Sequence, residues 1–268
     1  MQPGAIGVFD SGVGGLSVLR EIRALLPAED LIYVADSAHI PYGEKSRQYI
    51  ETRARVLAGF MVGRGAKALV VACNTATAAA VAALRGAFPV PIIGMEPGVK
   101  PAAQLTQSGV IGVLATPGTL ASQKFAALLQ RHAGAAQVVV QACPGLVEQI
   151  ERGDIDGLHT RALVQRYVAP LLERGADTLV LGCTHYPFVA KLIRDAAGPA
   201  VKLVETGAAV AQELRRRLLA AQLLAPQPSP GSEEFWTSGD PRTVAPVMAT
   251  LWARALDVRR LPNNYLKV

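Results

Sequence analysis

The chain has 268 residues, enough for one large domain or two of ordinary size with proper cores. With 50% hydrophobic and 18% charged residues and a mean hydropathy of +0.27, it reads as a soluble globular protein, and its apolar runs fall far short of the roughly 20 residues a membrane helix needs. The formal charge of +6 comes from scattered basic residues, with Arg215-Arg216-Arg217 the tight run among them, so nucleic acid is not an expected partner.

Taken in chain order, short apolar runs alternate with alanine- and leucine-rich stretches of helical character, the pattern of an α/β fold. Met1 to Ala5 shows neither a basic region nor an apolar stretch with a small-residue cleavage site, so the cytoplasm is the expected compartment. Strands are predicted near Ile6–Phe9, Leu31–Ala35, Leu69–Ala72, Ile92–Met95, Val110–Leu114, Val138–Gln141, Thr178–Leu181 and Val201–Val204. Helices are predicted over Leu16–Leu26, Ser46–Arg64, Thr75–Arg85, Thr119–His132, Thr160–Arg174, Val189–Ala197 and Ala208–Leu223. Ala225 to Ser232 is a Pro/Ser-rich connector, followed by a strand at Phe235–Thr237 and a helix at Val244–Ala255.

Internal repetition is the most informative feature. Gly65 to Thr75 aligns without gaps on Gly175 to His185, which superposes Cys73 on Cys183 at an offset of 110 residues. Ile6 to Gly12 aligns more weakly on Ile111 to Pro117, in the same order. Two matches in register imply duplicated α/β halves. Open α/β sheets place ligands at the carboxyl ends of their strands, so the repeat predicts two pseudo-symmetric lobes with parallel-type sheets facing each other across a cleft, with Cys73 and Cys183 on opposite walls.

Each cysteine precedes small polar residues, where backbone N–H groups favour anions and are expected to lower a thiol pKa. Cys143 has no repeat partner and reads as structural. Three widely spaced cysteines argue against a disulfide framework and are too few for a structural zinc site without histidine, so no metal is expected. The turn Asp10-Ser11-Gly12-Val13-Gly14-Gly15 lacks the Lys-[Ser/Thr] of a nucleotide-triphosphate loop and fails the dinucleotide glycine spacing. It reads instead as an N–H-rich turn that binds a carboxylate, with Asp10 as an acid/base or amine-binding group. His185, two residues after Cys183, is placed to orient or protonate a reacting group. Pro41-Tyr42-Gly43 reads as a turn.

Four segments together resemble the glutamate racemases of the aspartate/glutamate racemase superfamily: Phe9 to Ser17, Asp36 through Gly43, Ala72-Cys73-Asn74-Thr75-Ala76 and Gly182-Cys183-Thr184-His185-Tyr186-Pro187. Trp236 to Asp240 resembles the closing strand and turn of that family. The resemblance implies one lobe of residues 1–97 plus 208–268 and a second of residues 98–207. It also implies interconversion of L- and D-glutamate, feeding peptidoglycan synthesis, with no cofactor; a homodimer is allowed for. By resemblance Cys73 acts on D-glutamate with help from Asp10, and Cys183 on L-glutamate with help from His185. Asp10, Ser11, Tyr42, Gly43, Asn74, Thr75, Thr184 and His185 match substrate-binding positions, as do Thr116 and Thr119 on the second-lobe counterpart of the Asp-Ser turn. An assisting glutamate is matched by Glu151, from its place before Arg152-Gly153, with Glu148 as its rival. No segment marks a pyridoxal phosphate lysine.

Overall fold

Strands that are apolar on both faces suit only a sheet covered on both sides, and parallel sheets are of that kind. In the computed structural model, which describes residues 4–226 and 230–267, Ile6–Asp10 (β1), Leu31–Ala35 (β2) and Ala68–Val71 (β3) are buried at every position. Part of the predicted connector, Gln227 to Ser229, lies outside the described residues, as do Met1 to Pro3. Helices Leu16–Leu25 (α1), Arg47–Gly63 (α2) and Asn74–Ala87 (α3) follow these strands, then Ile92–Ile93 (β4) and Val99–Leu105 (α4). The second half runs through Val110–Ala115 (β5), Pro117–Leu120 (α5), Gln123–His132 (α6), Gln137–Ala142 (β6), Leu146–Glu151 (α7), Leu158–Glu173 (α8), Thr178–Leu181 (β7), Ala190–Ala197 (α9) and Lys202–Val204 (β8). Gly207–Ala220 (α10), Glu233–Thr237 (β9), Pro241–Trp252 (α11) and Val258–Arg260 (β10) complete the described chain.

Two parallel sheets result, in the orders β10-β9-β2-β1-β3-β4 and β6-β5-β7-β8. Their registers match: Ile6 pairs with Ala68 as Ile111 pairs with Thr178, and Leu69 pairs with Ile92 as Leu179 pairs with Leu203. Strand order reverses beside β1 in one sheet and beside β5 in the other. The repeat in the sequence is therefore a repeat in space, and each lobe opens a crevice at the carboxyl ends of its central strands. β9 adds to β2, so the carboxyl-terminal segment completes the first sheet.

Several elements differ from expectation for local reasons. The single helix expected over Thr119–His132 is two, because Thr116 caps α5 by accepting from the Thr119 N–H and Ser122 caps α6 by accepting from the Phe125 N–H. The last helix starts at Pro241, not Val244, with Asp240 as its cap and proline in the first turn. α4, α7 and β10 were not expected; each has seven residues or fewer, too short for periodicity to register.

One buried ion pair ties the first lobe together. Asp36, just past β2, receives Nη2 and Nε of Arg53 at 2.7 and 3.0 Å and the Tyr42 hydroxyl at 2.5 Å. The remaining Arg53 nitrogen donates to the carbonyls of Tyr265 and Lys267, both at 3.0 Å. Both charged side chains are fully buried, so removing one strands the other. Arg53→Met is expected to lower stability by about 3–5 kcal/mol in urea denaturation. A loss below about 1 kcal/mol, the scale of an exposed pair, would mean that the pair does not hold this corner.

Candidate active site

Asp10 ends β1 and Cys73 follows β3, on adjacent strands of the first sheet. In the second sheet Thr116 follows β5 and Cys183 follows β7 one residue on, again on adjacent strands. Both crevices open onto one small pocket, lined by Ser11, Pro41, Tyr42, Gly43, Cys73, Asn74, Thr75, Thr116, Thr119, Val147, Gly182, Cys183, Thr184 and His185. The structure thus brings together eleven of the residues singled out in the sequence; Asp10 and Glu151 stand directly behind the lining. Pro41, Val147 and Gly182 were not foreseen. Gly182 has a signal in its place before Cys183, whereas Val147 lies on the unforeseen helix α7.

Cys73 sits at the N-cap of α3, its Sγ 3.4 Å from the Ala76 N–H and 3.8 Å from Oγ of Ser11. The sequence led to an expectation of a lowered thiol pKa there. Instead burial, reinforced by the neighbouring Asp10 carboxylate, pushes the Cys73 thiol well above its ordinary value, against the Ala76 N–H. Loss of hydration outweighs one helix end. Asp10 is itself fully buried and raised by desolvation, opposed by the charge of His185. Its Oδ2 accepts from the Gly15 N–H at 2.7 Å and from Oγ1 of Thr184 at 3.4 Å, so this carboxylate touches both lobes.

On the other wall, Sγ of Cys183 lies 3.6 Å from Nδ1 of His185, and Nε2 of His185 donates to Oε1 of Glu151 at 2.6 Å. The same Oε1 accepts from the Val13 N–H at 2.6 Å. Glu148 makes neither bond, so Glu151 is the carboxylate that reaches His185. Two N–H groups of the turn, those of Val13 and Gly15, donate to carboxylates of the protein itself, Glu151 and Asp10. Burial disfavours a charged His185, yet Cys183 and Glu151 together raise its pKa well above the ordinary value.

Between the lobes, Oγ1 of Thr75 lies 3.0 Å from Oγ1 of Thr116 and 3.1 Å from Oγ1 of Thr119. Beside them both polar atoms of the Asn74 amide are buried without a hydrogen-bond partner, the condition of a group that awaits a polar ligand. Cys143 is buried off the pocket with Sγ 3.5 Å from the Gln141 carbonyl, its pKa pushed up to about 12 by burial. Among the described residues no group of three or more His, Cys, Asp or Glu side chains is arranged to hold a metal, and no helix is long and apolar enough to cross a membrane.

Two α/β lobes that each present a strand-end thiol to one small polar pocket define the class. The model of the Asp/Glu/hydantoin racemase family matches residues 6–214, and the chain belongs to that family. It is an isomerase, an amino-acid racemase. Among its relatives, a glutamate racemase of Methylococcus capsulatus is 61% identical over 260 residues, covering 97% of this chain and 96% of that protein. Among solved structures, glutamate racemase isoform RacE1 from Bacillus anthracis superposes with a TM-score of 0.89 at 34% identity, covering 98% of this chain and 99% of the other. Glutamate racemase from Francisella tularensis, in complex with D-glutamate, gives 0.85 at 29% identity and 98% of each chain.

The His185–Glu151 contact generates a pH prediction. Below the ordinary value of 6.5 the ring is protonated in both folded and unfolded states, and its contribution to stability is fully present; it is lost as pH rises through the raised folded value. The Tm advantage of wild type over Glu151→Gln is therefore expected to be greatest near pH ~6 and to shrink with rising pH. A difference that grows with pH would contradict the assignment.

Proposed function

We propose that this racemase interconverts L- and D-glutamate without a cofactor, Cys73 and Cys183 acting on opposite faces of the substrate α-carbon. One observation carries the reading: the two thiols follow equivalent strands of sheets built in the same register, and both line one pocket. The substrate is proposed from the relatives, and the lobe boundaries of 1–97 plus 208–268 and 98–207 from the packing of α4 on the second sheet and of α10 on α1.

An amino-acid α-hydrogen is a very weak acid. A thiol raised by burial gives, once ionised, a stronger base than an exposed one, and the same desolvation strengthens every hydrogen bond to the developing carbanion. On this reading one thiolate takes the α-proton, the carbanion forms, and the opposite thiol delivers its own proton to the other face. The thiolate and the thiol have then exchanged places, ready for the reverse direction. His185 is suited to hold or return the proton of Cys183, with Glu151 fixing the ring; Asp10 stands in the corresponding place for Cys73. Following the resemblance, Cys183 serves L-glutamate and Cys73 D-glutamate. Ser11, Tyr42, Gly43, Asn74, Thr75, Thr116, Thr119 and Thr184 supply donors and acceptors for the two carboxylates and the ammonium. D-Glutamate formed this way would supply peptidoglycan.

In deuterated water, L-glutamate is expected to give D-product carrying solvent deuterium while the remaining substrate stays unlabelled early on. Cys73→Ala and Cys183→Ala should each lower racemisation by at least about 10²–10⁴-fold, the usual worth of a general acid or base, with Cys143→Ala active as the control. Early labelling of the L-substrate by wild type would point to one shared base instead.

The same donors set the substrate length. Shortening it by one methylene leaves a buried donor unpaired or shifts the α-carbon from the thiols. L-Aspartate should therefore show kcat/KM lower by at least about tenfold. Equal values for the two substrates would reject glutamate preference and leave the racemase class standing.

A further inference from the structure

The turn Gly12-Val13-Gly14 belongs to the first lobe, yet it packs on Glu151 and His185 of the second. A β-carbon on Gly12 would lie 2.7 Å from Cδ of Glu151 and closer still to its Oε1. One on Gly14 would lie 2.6 Å from Cε1 and 2.7 Å from Cγ of His185, and closer to Nδ1. Neither residue is among those with positive φ, so glycine is needed here for space, not for backbone conformation. The Gly12–Val13 peptide is held from both ends. Its carbonyl accepts from the Tyr33 hydroxyl at 2.7 Å, and its N–H donates to Oε1 of Glu151 at 2.6 Å. Tyr33 is fully buried on β2 and does not line the pocket. Hydrogen bonds on the two ends of one amide polarise each other, so the hydroxyl strengthens the N–H as a donor.

We infer that Tyr33 and Gly12 are positioning residues for the acid/base group beside Cys183. They act through the Gly12–Val13 peptide, which seats Glu151 against His185 only when the two lobes are docked. The inference rests on the proposed racemase reading for its kinetic part alone. The titratable groups that face His185 are Asp10 of β1, Glu151 of α7 and Cys183 after β7, so a change in its titration has few possible sources.

Gly12→Ala puts a methyl group where the far end of a flexible side chain now lies, and is expected to displace Glu151 while the fold persists. Tyr33→Phe keeps the ring and removes only the hydroxyl. NMR titration of the His185 ring should show a lower pKa in Gly12→Ala, moving toward that of Glu151→Gln. The kcat for glutamate should fall at least tenfold in Gly12→Ala and several-fold in Tyr33→Phe, with KM changed less than kcat. In a Glu151→Gln background neither substitution should cause further loss, because the group they position is already gone. Losses that multiply with Glu151→Gln, or a His185 titration in Gly12→Ala identical to wild type, would overturn the inference. Should wild type fail to racemise glutamate, the proposed function falls, while the ring titration still decides the positioning role.

Discussion

Glu151 joins the two halves of the molecule in one chemical unit through the carboxylate that receives His185. Its carboxylate oxygen is shared with the Val13 N–H, so a donor from the first lobe and a donor from the second meet on one atom. His185 in turn faces Cys183. A buried histidine alone would lose its charge to desolvation; with Glu151 and Cys183 against it the direction reverses. The carboxylate beside His185 thus takes one hydrogen bond from each lobe.

The opposite wall is built on the same principle with a different outcome. Asp10 and Cys73 are both buried and both raised by desolvation, and the Asp10 carboxylate further disfavours charge on Cys73. The asymmetry, a carboxylate beside one thiol and an imidazole beside the other, was imposed on a symmetric scaffold. Cys73 and Cys183 superpose in the repeat, while Thr75 superposes on His185.

Such a site needs a stiff frame. Fully buried parallel strands supply it, and the ends of β1 and β3 are fixed by the same register that fixes β5 and β7. Away from the pocket, Arg53 anchors both Asp36 and the carboxyl-terminal tail, and Asp36 holds the hydroxyl of Tyr42, which lines the cleft. A surface tail is in this way connected to the pocket wall through one buried charge pair.

Much of this was legible in the sequence, for physical reasons that can be named. Apolar runs bounded by turn residues marked the long strands and helices, and the gapless repeat around Cys73 and Cys183 placed both thiols at strand ends, because local periodicity and chain order suffice for such features. Glu151 could be separated from Glu148 only by knowing which face of a six-residue helix meets His185, and that face is set by packing. The direction of the Cys73 shift likewise needed tertiary structure: the helix end that favours the thiolate is local, while burial and the charge of Asp10, which override it, arise only in the folded chain. The sequence determined which groups would be present and on which strand ends; only the folded chain decided their protonation and their partners, because desolvation and cross-lobe hydrogen bonds arise between residues far apart along it.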